Sequence, residues 1–426
     1  MRSASRWWSY ENAVLAILSA GWGFLFLERM DINYLMPFMV KDLHLSNAEV
    51  GFVAAGFSLT WSLSGYFGGY FGDILGKRKL LLIISILAFS LCSFITGLAT
   101  GFLLLVVFRM VMGMLEGPFF PVGTSILLAE STYSRRGFNL GFLQNFSSNI
   151  LGGMIGPVVI VALATAVGWR YTFFFTIIPG IVVALLMWRF IREPKPTRED
   201  AAEMVTHGGK RQGEKIRPWT VFKYRNMILC MIISVCLIPW YTLLFTYAPL
   251  YLTQTRGMSP HIMSYVMSIV GVSAAVWGFV VPMLSDRLGR KSMMILFCLI
   301  SIVGPVSVLY LHAALWFFMV VIFIGCAGTG GMALYMSVIP SETVPRKIAG
   351  AAIGLAMASG EFVGGVGIVS AGGVLANHYG LVAPLLMSAA FALVAAFVAI
   401  FLTETAPIKV KARLVSTTDA QVNLDV

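Results

Sequence analysis

Six ionisable residues stand inside otherwise apolar sequence. Residues 24–36 read FLFLERMDINYLM, with Glu28, Arg29 and Asp31 within four positions. Residues 108–121 read FRMVMGMLEGPFFP, with Arg109 and Glu116, and Glu361 lies in AMASGEFVGG at 356–365. An arginine stays charged at any accessible pH and offers a rigid fork to a carboxylate. A carboxylate in a dry cleft can take up and release a proton near neutral pH. Fixed cations beside switchable acids are what moving an organic anion together with a proton requires. On a helix Glu28 and Asp31 share a face, and Arg29 stands about 100° round from Glu28, able to reach sideways to it. Arg109 and Glu116, seven apart, share a face about 10 Å apart along the axis. Either charge group could equally be a buried structural pair. On a wet surface they would need no explanation at all, so their surroundings decide.

Those surroundings are apolar. Of 426 residues 58% are hydrophobic and 12% charged, with a mean hydropathy of +0.85, against about a quarter charged in soluble domains. Residues 80–108 carry no ionisable side chain except Cys92, a run long enough to cross a bilayer and turn back. The chain reads as a polytopic, all-α membrane protein. A charged group at mid-bilayer costs roughly 2.5–3.5 kcal/mol, so it persists where it is paired or faces a water-filled cavity. The five cysteines lie in apolar runs without metal-ligand spacing, which suits small buried residues and no metal. The first apolar segment has no clear cleavage site and reads as an uncleaved helix.

Apolar segments fall near 12–36, 47–71, 80–99, 101–122, 138–165, 171–191, 226–252, 262–284, 292–311, 314–338, 348–375 and 380–402. They predict twelve spans in two six-helix halves, 1–191 and 226–402, joined by a charged linker at 192–225 and followed by a tail at 403–426. With both termini in the cytoplasm, 25 of the 30 Lys and Arg lie inside, three lie outside (Lys41, Arg170, Arg256) and two, Arg29 and Arg109, lie in spans. That bias orients the chain by the positive-inside rule, and its spread over many loops suits an anionic lipid surface and excludes a nucleic-acid face. The sequence also repeats. GYFGDILGKRK (69–79) is echoed by PMLSDRLGRK (282–291), and LLAESTYSRRGFNLG (127–141) by VIPSETVPRKIAGAAIG (338–354); Asp73 and Asp286 are 213 apart, Glu130 and Glu342 are 212 apart. Two matches at one offset indicate a parallel duplication of six spans, the plan of a cleft-forming transporter.

The loop Gly69-x3-Asp73-x2-Gly76-Lys77-Arg78-Lys79, with its echo at Asp286 and Arg290, resembles the signature loop of the major facilitator superfamily. The resemblance implies a cytoplasmic gating motif that helps to hold the two halves together. The second copy has Pro282 where the first has Gly69. More narrowly, the acid followed by Arg29 in span 1, Arg109-x6-Glu116-x-Pro118-x2-Pro121 in span 4 and Tyr247-Ala248-Pro249-Leu250-Tyr251-Leu252 in span 7 resemble the anion:cation symporter family. That likeness implies import of a sugar acid or other small carboxylate with H+ by alternating access. Arg29 and Arg109 would bind substrate or relay charge, Glu116 would be the main proton carrier, and Glu28 would replace the family's usual Asp. Asp31 and Glu361 fall outside that pattern and are further candidate proton carriers; Asp31 is also placed near the outer end, where it would see water, and Glu361 at the contact between halves.

Tyr34, Tyr241 and Tyr247, with the amides Gln144 and Asn145 of an unusually polar span 5, are expected to line the cleft, where amides suit the hydroxyls of a sugar acid. GGMIGPVV (152–159) in span 5 and GGVGIVSAGG (364–373) in span 11 are expected to form a bendable sliding contact. No HExxH, nucleophile elbow, phosphate loop or Cys/His ligand set appears, so no enzyme and no cofactor are expected. An organic-anion exchanger, or a carrier of an aromatic or dicarboxylic acid, is the alternative. The protein is expected to work as a monomer in the inner (plasma) membrane.

Overall fold

The computed structural model describes residues 9–75, 77–132, 135–193, 218–345, 348–407 and 409, without the side chains of 65–75, 218 and 219. Apart from short connecting turns, the described residues are helical. In order the helices are α1 (Tyr10–Leu43), α2 (Asn47–Leu75), α3 (Arg78–Thr96), α4 (Phe102–Glu130), α5 (Arg136–Val167) and α6 (Trp169–Phe190). After a described 3-10 turn at 218–223 come α7 (Arg225–Thr255), α8 (Pro260–Leu288), α9 (Arg290–Tyr310), α10 (Leu315–Thr343), α11 (Ala349–Tyr379) and α12 (Val382–Ala399). Among the described residues, eleven helices are long and apolar enough to cross a membrane. Most of the long helices run a few residues past the apolar segments at one or both ends, because their last turns carry polar residues that a helix tolerates at the interface. Most of the predicted linker, 194–217, lies outside the described residues.

Local chemistry sets the ends and bends. Ser9 caps α1, its hydroxyl accepting from the Asn12 N–H at 3.3 Å, and α1 stops at His44, the one non-glycine residue with positive φ (50°) among those described. Pro305 in α9 has no N–H to give to the carbonyl of Ser301. The indole of Trp240 supplies the missing donor, at 2.9 Å, and the Ser388 hydroxyl donates to the Trp240 carbonyl at 2.9 Å. One tryptophan therefore ties α7, α9 and α12 together and satisfies a carbonyl that hydrocarbon could not.

Both glycine-rich segments contain π-helical stretches, Asn149–Ile155 in α5 and Gly360–Ile368 in α11. They occupy equivalent places in the duplication and each meets a helix from the other part of the chain. A Cβ on Gly153 would sit 2.8 Å from the Cα of Gly271 in α8, so the two backbones touch there. The Ser268 hydroxyl adds a hydrogen bond to the carbonyl of Met154 (2.7 Å). The other seam joins α11 to α2. A Cβ on Gly373 would meet the carbonyls of Asn47 and Ala48, the Asn47 amide donates to the Ala376 carbonyl (3.2 Å), and the Ala48 N–H donates to Asn377 (3.1 Å). These latter contacts close the bundle at the end away from the termini.

At the terminal end the repeated motifs meet. Arg290 pairs with Asp286 (2.6 Å) and Glu342 (2.9 Å), which joins the two repeated segments of the later helices. Glu404 accepts the backbone N–H of Arg290 (2.7 Å) at the start of α9, and Glu193 accepts those of Arg78 (2.6 Å) and Lys79 (3.1 Å) at the start of α3. Glu193 and Glu404 are 211 apart, a third pair at the repeat spacing. The described partners of Asp286 and Arg290 lie in α8, α10 and the segment after α12, so these contacts brace the later helices. The side chains of Gly69 and Asp73 fall on the last turns of α2 and are not described, and Gly76 lies outside the described residues.

Candidate functional site

The charged residues of α1 and α4 form two crossed ion pairs. Arg29 donates to Glu116 Oε1 at 3.4 Å, and Arg109 donates to Asp31 Oδ1 at 3.0 Å and to the carbonyl of Arg29 at 3.1 Å. The seven-residue spacing of Arg109 and Glu116 is what permits this: each end of the α4 stripe meets one end of the 29–31 stretch. Arg29 therefore reaches across to α4 and not sideways to Glu28. Asp31, expected near water, is fully buried, because its pairing with Arg109 carries it inward.

The two arginines are not equivalent. Arg109 is 2% exposed, and both of its Nη atoms are occupied. The Arg29 side chain keeps 17% exposure, has one long ion pair, and lies over the rings of Phe57 (4.6 Å) and Trp61 (5.1 Å) in α2. Two aromatic faces hold a guanidinium by roughly 0.5–2 kcal/mol each without using its N–H groups. Arg29 is thus positioned, charged and under-bonded, with donors to offer.

It offers them to a void of 50 Å³ lined by α1, α2, α4 and α7. Arg29 and Asn33 of α1, Phe57 and Ser58 of α2, Arg109 of α4, and Tyr241, Thr242 and Thr246 of α7 are on its wall. Glu361 stands just behind Ser58. Glu361 Oε2 and Ser58 Oγ each lie 3.0 Å from where a Cβ on Gly365 would be. Glu28 turns the other way, toward α3 and α6, where the Ser90 hydroxyl donates to it at 3.1 Å and Ser93 and Thr176 bond to one another at 3.2 Å. Glu28 Oε1, Asp31 Oδ2, Glu116 Oε2 and Arg109 Nε are buried with no hydrogen-bond partner among the described residues.

Of the expected cleft residues, Arg29, Arg109 and Tyr241 are brought together at the void. Tyr34 is buried with its hydroxyl donating to the Gly152 carbonyl (3.2 Å), pinning α1 to α5. Tyr247 is buried with its hydroxyl on the carbonyl of Asn47 (3.1 Å), in the α2–α11 seam. Gln144 is exposed, its carbonyl accepting from Trp22, and Asn145 faces Gly278 of α8. A tyrosine in an apolar bundle must find an acceptor for its O–H, and a backbone carbonyl serves without any substrate. Phe57, Ser58 and Trp61 were not singled out from sequence; their 57/58/61 spacing on one helix face was the available signal.

Charged residues paired around a void, within helices long and apolar enough to cross a membrane, are an arrangement that suits a membrane transporter. Residues 13–368 match the Major Facilitator Superfamily, and the chain belongs to that family. It is 26% identical over 291 residues to the "Probable sulfoacetate transporter SauU" of Cupriavidus necator, covering 66% of each chain. It is 27% identical over 277 residues to the "Hexuronate transporter" of Bacillus subtilis, covering 63% of this chain and 64% of that one. The matches thus span just under two thirds of both relatives. The solved D-xylose-proton symporter has the same fold, with a TM-score of 0.74 and 19% identity over 94% of this chain and 99% of that one.

Proposed function

We propose that the protein is a secondary active transporter that imports a small organic anion together with H+ by alternating access. Its twelve helices then work as two six-helix halves, 1–191 and 226–402, with the linker 192–225 and both termini in the cytoplasm of a cell with the protein in its inner membrane. The observation that carries this reading is Arg29: a charged guanidinium at the wall of a void, resting on two aromatic rings, with one 3.4 Å ion pair, to Glu116, among the described residues. The relatives named for sulfoacetate and hexuronate support an organic anion as cargo.

The exchange follows from charge balance. A substrate carboxylate reaching Arg29 competes with Glu116 for its N–H donors. Once displaced, Glu116 would be an uncompensated buried anion, costing roughly 3–5 kcal/mol, and binding a proton removes that charge. Anion and proton therefore enter together. Arg109 acts at one remove: by gripping Asp31 and the carbonyl of Arg29 it fixes α1 against α4 and sets where the Arg29 side chain starts. Ser58, Thr242 and Thr246 offer hydroxyls to the remainder of a small polar anion.

The test is uptake of labelled hexuronate and sulfoacetate into cells at acidic and alkaline external pH, with and without an uncoupler. Accumulation that is larger in acid and abolished by the uncoupler is expected. Uptake indifferent to both would replace symport by anion exchange.

A further inference from the structure

A second cavity, of 530 Å³, opens at the end of the bundle away from the termini. Its walls come from the ends of α1, α5 and α7 and the starts of α6 and α8, so both parts of the chain build it. Its volume lies within the range of small-molecule sites, about 300–1,000 Å³. Lys41 stands on its rim, exposed and with no ion-pair partner among the described residues. The neighbouring charges are already spent: Arg170 pairs with Asp42, whose carboxylate also accepts from the Trp169 indole at 3.1 Å. Lys41, without an ion-pair partner among the described residues, shares the cavity wall with Phe38, Trp169, Met258, Thr253 and Gln254.

Register connects this cavity to the inner void. On α1, Arg29 and Asn33 line the void, and Pro37 and Lys41 line the outer cavity, each four residues from the last. On α7, Thr242 and Thr246 line the void, and Gln254, in the π-helical turn Tyr251–Thr255, lines the outer cavity. Rows four apart run as ridges along an α-helix, so one ridge of α1 borders both spaces, and α7 borders both along its length. Twelve residues separate Lys41 from Arg29, about 18 Å at 1.5 Å per residue. The two spaces are successive compartments beside one α1–α7 seam, with a cation at each end and apolar packing between.

We propose that the outer cavity is a capture site for small organic carboxylates, with Lys41 holding the carboxylate and Phe38, Trp169 and Met258 taking an apolar or ring-shaped body, from which the anion passes to Arg29 when the seam parts. This rests on the organic-anion reading above. The polar edge at Thr253 and Gln254 admits a hydroxyl, and the aromatic wall favours a ring acid over a fully hydroxylated chain.

The experiment uses the full chain in liposomes and compares wild type with Lys41→Gln, Lys41→Arg and Val167→Trp, the last filling the cavity from an exposed wall position. Labelled benzoate and hexuronate are the probes. The expected result is a rise in KM of about fivefold or more for benzoate in Lys41→Gln and Val167→Trp, near-recovery in Lys41→Arg, and loss of the Lys41→Gln effect in high salt, which screens a surface charge. Benzoate binding to the purified Arg29→Gln protein should persist, and the additional Lys41→Gln change should remove it. Unchanged KM in both Lys41→Gln and Val167→Trp overturns the proposal while leaving the transport reading intact. A wild type that carries no carboxylate overturns the transport reading, and the binding arm then tests the cavity alone. An effect of Lys41 seen only in vesicles containing phosphatidylglycerol, without benzoate binding, assigns the cavity to a lipid headgroup and also overturns the proposal.

Discussion

The helices before residue 192 and those after residue 225 bury very different interiors. In the first set α1 and α4 carry Arg29, Asp31, Arg109 and Glu116 in two crossed pairs, with Glu28 beside them turned toward α3 and α6. In the second, Glu361 is the charged side chain found at the centre, and the polar work is done by neutral groups such as Trp240, Thr242 and Thr246. Both sets descend from one repeat, as the matching Asp, Glu and π-helical positions attest. Duplication preserved the frame and the terminal braces, while the centre diverged. The ion pairs stay concentrated on two adjacent helices, where each arginine finds a carboxylate.

The comparison makes its largest claim at Asp31. Asp31→Asn leaves Arg109 as a buried cation without its carboxylate, and a loss of about 3–5 kcal/mol is expected. Thermal unfolding in detergent measures it, and Asp31→Asn combined with Arg109→Gln should regain most of the loss. If the double variant is no more stable than the single, the pair is not the structural brace described above. Next is Arg29→Gln, expected to cut uptake of the transported acid by about a hundredfold, near 2.7 kcal/mol, in a protein that still unfolds near the wild-type temperature. Uptake within threefold of wild type would move the cargo away from Arg29.

Glu116→Gln separates binding from coupling. The amide cannot take up a proton, so counterflow of labelled for unlabelled substrate should continue while accumulation against a gradient is lost and the rise in uptake with acidity flattens. A pH response as steep as the wild type would put the coupled proton on another group, with Glu28 and Glu361 the next to try. The smallest effect belongs to the neutral side. Trp240→Phe removes the donor that satisfies Ser301, costing about 1 kcal/mol of stability for one neutral hydrogen bond, with no change in the pH dependence of uptake. A shifted pH response in that variant would show that the two interiors are not as separate as their charges suggest.

Much of this was legible without coordinates. The spans, the duplication and the six buried ionisable residues follow from hydropathy and from repeats at one offset, because bilayer thickness fixes helix length and charge is conspicuous in apolar sequence. The third repeated pair, Glu193 and Glu404, carries the same offset and was open to the same reading. The partners of each side chain were not legible. Tyr34 and Tyr247 have the chemistry of cleft residues, yet their hydroxyls meet backbone carbonyls of α5 and α2, and the Asn145 side chain lies against Gly278 of α8.

Sequence alone determined that this chain lives in a membrane, that it was built by doubling, and that it keeps two arginines and four acids where hydrocarbon would expel them. Tertiary structure decided which acid neutralises which arginine, and therefore which arginine has donors left. The reason is geometric: local spacing places side chains on a helix face, but an ion pair between helices depends on how the faces are rotated and set against each other, and packing over the whole bundle sets that rotation.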